Sequence, residues 1–400
     1  MGNDGLAGPG LAKAAPRATL AELARLFLRL GFTAFGGPAA HVALMENEVV
    51  QRRRWLSSER FLDLLGAANL IPGPSSTELA MFIGYDQAGW RGLIACGACF
   101  ILPAGVMVTL LAAAYVRFGA IPSMVGVLYG MKPVVIAVVG QALWNLGPKA
   151  VKKSVRLGAL ALVAGVASFA GVDALWVLLG GGVASVITSR FAKEGNIGRS
   201  PTLGFVGAIA ASGASAAAPV SLVALFLAFL KIGALVFGSG YVLLAFLRAD
   251  LVERLHWLTE AQLLDAVAIG QVTPGPVFTT ATFIGFVVAA RGGPVAGVSG
   301  AVLATVGVFL PGFLLVAVTR PVVARVRRSP AAGAFLDGVN VAALALMAVV
   351  TGQLVRAALV DFPTVAVALV GIAALVRFKV NPTWLVAGGA ALGALASAVR

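Results

Sequence analysis

The chain repeats itself. Gly31-Phe32-Thr33-Ala34-Phe35-Gly36-Gly37 returns as Gly233-Ala234-Leu235-Val236-Phe237-Gly238-Ser239, a shift of 233 − 31 = 202. The same shift carries Trp55-Leu56-Ser57 onto Trp257-Leu258-Thr259, Asp63 onto Asp265, Asn69 onto Gln271, and Pro72-Gly73-Pro74 onto Pro274-Gly275-Pro276. Further along, Phe82-Ile83-Gly84 matches Phe283-Ile284-Gly285 at 283 − 82 = 201, and Pro103 and Gly130 match Pro311 and Gly338 at 311 − 103 = 208. Two matched halves in a long apolar chain are the pattern of transporters whose site lies where the halves meet. The Pro-Gly-Pro breaks and the polar residues beside them are therefore the first candidates for function.

Apolar residues make up 60% of the chain and charged residues only 12%, where a soluble domain has about a quarter charged. Runs such as Gly92 to Tyr115, Pro294 to Thr319 and Val341 to Leu354 match, or nearly match, a bilayer core of about 30 Å. The expected class is an all-α polytopic membrane protein. The net charge of +14 sits mostly in short loops between apolar runs, where a positive-inside bias places it. It is read as topology, with an anionic solute as a second reading and no nucleic-acid partner. The expected organisation is a flexible tail over 1–18, a first repeat over 19–190, a connector over 191–219 and a second repeat over 220–400. The tail has no continuous apolar core and does not read as a cleaved signal peptide. Thr19-x-x-Glu22 and Thr259-x-x-Gln262 predict capping boxes that open helices.

Charge placement predicts that the repeats are inverted. In the first repeat the loop Gln51 to Arg60 carries four Arg, the loop near Arg117 one, and the next Lys149, Lys152, Lys153 and Arg156. In the second, Arg248 and Arg254 are diluted by Asp250 and Glu253, and Arg320, Arg325, Arg327 and Arg328 crowd the following loop. After Arg356 no Lys or Arg follows before Arg377. If cations mark one side, the pattern has been turned over. Inversion needs an odd number of crossings between matched points, and six apolar segments lie between Arg54 and Arg254. One of them cannot cross, and Thr202 to Ala218, short and rich in small residues, is the suspect.

Ser58 to Leu70 and Glu260 to Val272 read as short helices that run into Pro-Gly-Pro, after which another short helix follows. About 12 residues rise roughly 18 Å, too little to cross the hydrocarbon core. Each unit is expected to be a helical hairpin that enters and returns, or a broken span. Backbone freed by such a break is tolerated where it lines a polar cavity, and the restarting helix aims its first amides there, which favours an anion. The candidate ligand-binding set is Asn69, Pro72, Gly73, Pro74, Ser75, Gln271, Pro274, Gly275 and Pro276. The amides donate hydrogen bonds without adding charge. Ser75, Ser76, Thr77, Thr279 and Thr280 either contact the ligand or cap the restarted helices. Arg29 and Lys231, matched cations on apolar helices, either supply charge to the site or snorkel to an interface. Lys132 faces the neutral Asn340 across the repeat. Glu78, which faces Thr280, is a coupling candidate: it pairs with a cation, carries a proton or faces water. Cys96 and Cys99 lie C-x-x-C inside an apparent span. Packing of small residues explains them best, a redox pair being the alternative, and no metal set is visible.

Phe35-Gly36-Gly37, Trp55-Leu56, Asn69-x-x-Pro72-Gly73-Pro74, Glu78-Leu79-Ala80 and Ile83-Gly84-Tyr85, followed by Gln271-x-x-Pro274-Gly275-Pro276, resemble the chromate ion transporter family in its long, two-domain form. The resemblance runs from about Leu23 to the C-terminus; Ser239 in place of a second glycine is a departure. It implies export of chromate across the bacterial cytoplasmic membrane, with a relation to sulfate, a tetrahedral dianion of similar size. Import of sulfate or another oxyanion is the rival reading, and a chromate-reducing membrane enzyme acting through Cys96 and Cys99 is a more distant one. The expected partners are a chromate- or sulfate-like oxyanion and the lipid bilayer, with no cofactor and with a homodimer left open.

Overall fold

A computed structural model describes residues 17–119, 121–152, 154–193, 220–237 and 242–399. All of the expected flexible tail but Arg17 and Ala18, most of the connector with its suspect Thr202 to Ala218, and Ser239 lie outside these residues. Regular structure among the described residues is helical throughout. The first repeat comprises α1 (Leu20–Thr33), α2 (Gly37–Glu46) continued by a π-helical turn (Asn47–Arg52), α3 (Ser58–Ala68), α4 (Ser75–Phe118), α5 (Pro122–Val151), α6 (Val155–Phe169) and α7 (Ala174–Lys193). The second comprises α8 (Leu222–Leu235), α9 (Leu243–Leu247) with the π-turn Arg248–Arg254, α10 (Glu260–Val272), a 3-10 turn (Val277–Thr279) leading into α11 (Thr280–Ala289), α12 (Pro294–Arg328), α13 (Pro330–Ala358), α14 (Phe362–Arg377) and α15 (Pro382–Val399).

Local chemistry explains the boundaries. Both capping boxes form: Thr19 with Glu22, and Thr259 with Gln262, each satisfying donors that a helix start leaves bare. The π-turns recur at matched positions, and each presents one carboxylate, Glu48 or Asp250, to the first helix of its repeat, α1 or α8.

Each repeat begins with two short hairpins. In the first, α1 has 14 residues, roughly 21 Å and too short to span. The chain turns at Gly36, whose φ of +102° suits glycine, and α2 returns. Arg29 Nη2 meets Glu48 Oε1 at 2.7 Å and ties the two arms. The second hairpin is α3, Pro-Gly-Pro and the opening of α4. Its ends meet: Arg60 Nη2 lies 2.5 Å from Asp86 Oδ1, and Gln87 Nε2 donates to the Trp55 carbonyl at 3.3 Å. The entering-and-returning hairpin is thus the form observed. In the other repeat Arg291 Nη2 donates to the matched Trp257 carbonyl at 3.1 Å.

The chain then folds back once more. Ala88 and Gly89 leave helical geometry inside α4, and a Cβ on Gly84 would strike the Gly92 carbonyl of the second arm. Gly285 and Gly300 repeat this contact, with the turn at Gly293. Small residues let two backbones touch where lipid offers no hydrophobic drive to hold them.

The repeats are inverted. Trp90 opens the second arm of α4 at the Trp55 end of the molecule. Ala104 on this arm packs against Gly275, at the apex of the second Pro-Gly-Pro hairpin. Tyr115 lies 115 − 90 = 25 residues beyond Trp90, roughly 37 Å on. Its hydroxyl donates to Asp265 Oδ2 at 3.0 Å, near the start of α10. The arm therefore passes the second hairpin from apex to base, so that base lies at the end opposite Trp55. Leu222–Leu235 is an arm of a returning hairpin, closed by Lys231 and Asp250 at 2.9 Å, and so does not cross; the suspect Thr202 to Ala218 lies outside the described residues.

The remaining helices are exchanged between halves. α5 packs against α14 and α15, α13 packs against α6 and α7, and α5 and α13 touch each other. The contacts are again glycine pairs at matched positions, Gly130 on Gly389 and Gly338 on Gly181. Ser75–Phe118, Met124–Val151, Pro294–Thr319 and Pro330–Ala358 are long and apolar enough to cross a membrane. Trp144, Phe169, Phe362 and Trp384 are exposed apolar side chains on the outer face, as a protein surrounded by lipid requires.

Candidate functional site at the repeat seam

The hairpin apices meet across the seam. Gly73 N donates to the Val236 carbonyl at 2.7 Å, and Gly275 N donates to the Ala34 carbonyl at 2.9 Å. Acceptors and donors are both related by the shift, 236 − 34 = 275 − 73 = 202. Each Pro-Gly-Pro break is thus bonded to the break after the first helix of the other repeat. Proline on either side removes competing donors. Glycine supplies φ of +129° at 73 and +93° at 275 and the space: a Cβ on Gly275 would lie 2.8 Å from Ala104 Cβ.

Around this seam the two halves differ. His41 is buried; its Nε2 lies 3.0 Å from the Ala34 carbonyl and its Nδ1 3.3 Å from Ser76 Oγ. A carbonyl only accepts, so Nε2 carries the proton and, in the neutral ring, Nδ1 accepts from Ser76. The edge-on Phe100 ring holds the imidazole in place. The matched positions, Leu243 and Phe278, are apolar. Glu78 is fully buried against Gly73, where a Cβ would collide with Oε1. Thr77 Oγ1, both Glu78 carboxylate oxygens and Gln271 Nε2 are buried without a hydrogen-bond partner, which a native structure rarely permits without a reason.

The candidate residues divide into three groups. Gly73, Pro74, Gln271, Pro274, Gly275 and Pro276 are buried at the seam, with Pro72 and Ser75 half-buried beside it. Asn69 instead follows the end of α3 and is exposed, so the two matched amides occupy unlike surroundings. Thr279 and Thr280 donate to the Pro276 and Val277 carbonyls at 2.8 Å each, so their hydroxyl protons are spent on the local backbone, and neither makes a side-chain cap to the restarting helix. Arg29 and Lys231 are held by Glu48 and Asp250. Arg52 and Arg53 join the first cluster and Arg254 the second. The signal for these clusters lay in the repeat itself, because 250 − 48 = 254 − 52 = 202. A cleft of about 610 Å³ opens beside the second apex, between Phe35, Met107, Pro274 and Trp384.

A chromate transporter family model matches residues 21–186 and 223–394. The chain belongs to the chromate transporter family. The two matched stretches open in α1 and α8 and close in α7 and α15. A chromate transport protein of Cupriavidus metallidurans is 34% identical over 390 residues, covering 97% of this chain and 96% of its own length. A probable chromate transport protein of Synechococcus elongatus is 33% identical over 362 residues, covering 89% and 90%. A chromate transport protein of Pseudomonas aeruginosa is 30% identical over 365 residues, covering 88% and 85%. No solved structure matches. These names are of transport proteins rather than enzymes, and the apolar helices make this family member a multi-pass membrane protein.

Two further features of this family member bear on the rival readings. Cys96 is buried, and its Sγ would lie 2.6 Å from a Cβ on Gly84, so the thiol fills the space that this glycine leaves. Lys132 Nζ lies 3.2 Å from Asp265 Oδ1. With Tyr115 this makes a polar cluster that joins α4 and α5 of one repeat to α10 of the other. Lys132, without a charged counterpart, and Asp265, matched to Asp63, were each visible in the sequence; their pairing was not, because 132 and 265 are not related by the repeat.

Proposed function

We propose that this protein exports the chromate dianion across the bacterial cytoplasmic membrane by alternating access to the seam. The observation that carries the reading is the reciprocal bonding of the four apices, Gly73 to Val236 and Gly275 to Ala34. Substrate would replace these two cross-seam bonds. Backbone amides at Pro-Gly-Pro, the unpartnered Gln271 amide and the Thr77 hydroxyl then stand in for its hydration. Rocking of one repeat against the other about bonds this few exposes the seam to one side at a time.

Arg29 and Lys231 contribute field rather than contact in the resting arrangement. Arg29, Arg52 and Arg53 against Glu48 leave 3 − 1 = +2, and Lys231 and Arg254 against Asp250 leave 2 − 1 = +1. Positive clusters at the hairpin bases concentrate an anion near each mouth. Direction follows from charge. A dianion leaving an inside-negative cell gains about 2 × 2.3 kcal/mol per 100 mV, more than about a thousandfold in concentration ratio.

The test is radiolabelled chromate flux into inside-out membrane vesicles with an imposed potential. Potential-driven accumulation is expected. No accumulation with folded, inserted protein removes the export reading.

A further inference from the structure

Glu78 has no role in holding the fold that its surroundings reveal. Its relative exposure is 0%, and neither carboxylate oxygen has a hydrogen-bond partner. On one side it rests on Gly73, the apex glycine. On the other, a Cβ at Gly312 would lie 3.5 Å from Oε1. Gly312 and Ala104 are matched, 312 − 104 = 208, so Glu78 occupies a gap that glycine on both walls keeps open.

The ionisable groups on the elements packed around it are all engaged elsewhere or distant. On α2, His41 is held by Ala34 and Ser76, and the following π-turn gives Glu48 to three arginines. On α1, Arg29 is bound to Glu48. Arg60 of α3 is bound to Asp86 of α4, and Asp63 of α3 is exposed. On α10, Asp265 takes Lys132 of α5 and Tyr115 of α4, and Glu260 takes Arg248. Arg291, after α11, bonds Trp257. Cys96 lies against Gly84. Among the described residues none of these forms an ion pair with Glu78.

We propose that Glu78 takes a proton from the solution when the oxyanion enters the seam and returns it when the oxyanion leaves, so that the transporter moves the dianion together with one proton. The inference rests on the seam reading above. A carboxylate buried with neither cation nor donor is the costly form of this side chain. An anion bound at the Gly73 amide adds a like charge in contact with it. The neutral acid removes that repulsion and offers its own O–H to the oxyanion. Proton and anion then favour each other, and linkage makes the effect reciprocal. The matched Thr280 is neutral and already bonded to Val277, so one proton, not two, accompanies each substrate. The charge moved is −2 + 1 = −1, which still favours export from an inside-negative cell but halves the electrical drive of the bare dianion.

Equilibrium binding of radiolabelled chromate to the full-length protein, measured against pH, tests this. Wild-type affinity is expected to fall about tenfold per pH unit on its alkaline limb. Glu78→Gln should lack that limb; protonation of chromate itself enters both curves equally. The same slope in both proteins overturns the inference and leaves the seam site standing. Chromate binding unchanged in Gly275→Val would instead overturn the seam site. Should Glu78→Gln fail to fold, proton movement in wild-type vesicles decides: one proton moves with each chromate, and chromate flux without proton movement refutes the proposal.

Discussion

Gly275→Val is expected to lower chromate flux by about a hundredfold while the protein still inserts. Position 275 has φ of +93°, a region in which a β-branched residue is strained. Its Cβ would lie 2.8 Å from Ala104 Cβ and 3.4 Å from the Gly31 carbonyl. Both neighbours belong to the other repeat, so relief must come by opening the seam. The bond from Gly275 N to Ala34 is then lost, and a displacement of about 1 Å at a binding locus costs on the order of a hundredfold in turnover. Initial flux rates normalised to inserted protein measure the effect. Gly140→Ala is the control, because a Cβ there meets nothing within 4 Å and Ala is the better helix former. Equal flux in both variants would show that the apex geometry is not required.

Asp265→Ala is expected to destabilise the protein by about 3–5 kcal/mol, the range for removing one partner of a buried ion pair. Asp265 is 3% exposed and receives both Lys132 and Tyr115. Truncation strands a largely buried ammonium and a half-buried phenol between the repeats. Adding Lys132→Met removes the stranded charge, so the double variant should regain much of the loss and the two effects should be strongly non-additive. Thermal unfolding in detergent, followed for both singles and the double, measures this. The matched Asp63→Ala is expected to change little, since Asp63 is exposed. Purely additive losses would mean that the pair does not act as a unit.

The sequence carried the architecture because the repeat carries it. Matching Gly31 with Gly233 and Pro72 with Pro274 located the breaks, and the reversal of Lys and Arg between loops signalled inversion. Both rest on chain order, which a sequence displays directly. The first hairpin was not legible. Leu20–Thr33 reads as an ordinary apolar helix, and the turn at Gly36 with the bond between Arg29 and Glu48 shows that it turns back. For the same reason the matched Leu222–Leu235 counts among the candidate crossings in the sequence. The joining of Ala34 to Gly275 could not be read, because pairing across a seam depends on docking of the two halves rather than on spacing. Nor could the difference between Asn69 and Gln271. They match in sequence, yet the first follows a helix end in the open and the second is buried with a bare amide. Repeats preserve residue type more faithfully than environment.

The most direct test of the seam as the substrate site is protection of one cysteine. Ser75→Cys, in a protein carrying Cys96→Ala and Cys99→Ala, places a lone thiol beside the first Pro-Gly-Pro. Its alkylation by a membrane-impermeant maleimide is followed in vesicles of both orientations, with and without chromate. The account predicts labelling from either side, slowed by chromate in both orientations. Labelling indifferent to chromate in a protein that still transports it would contradict the seam as the site.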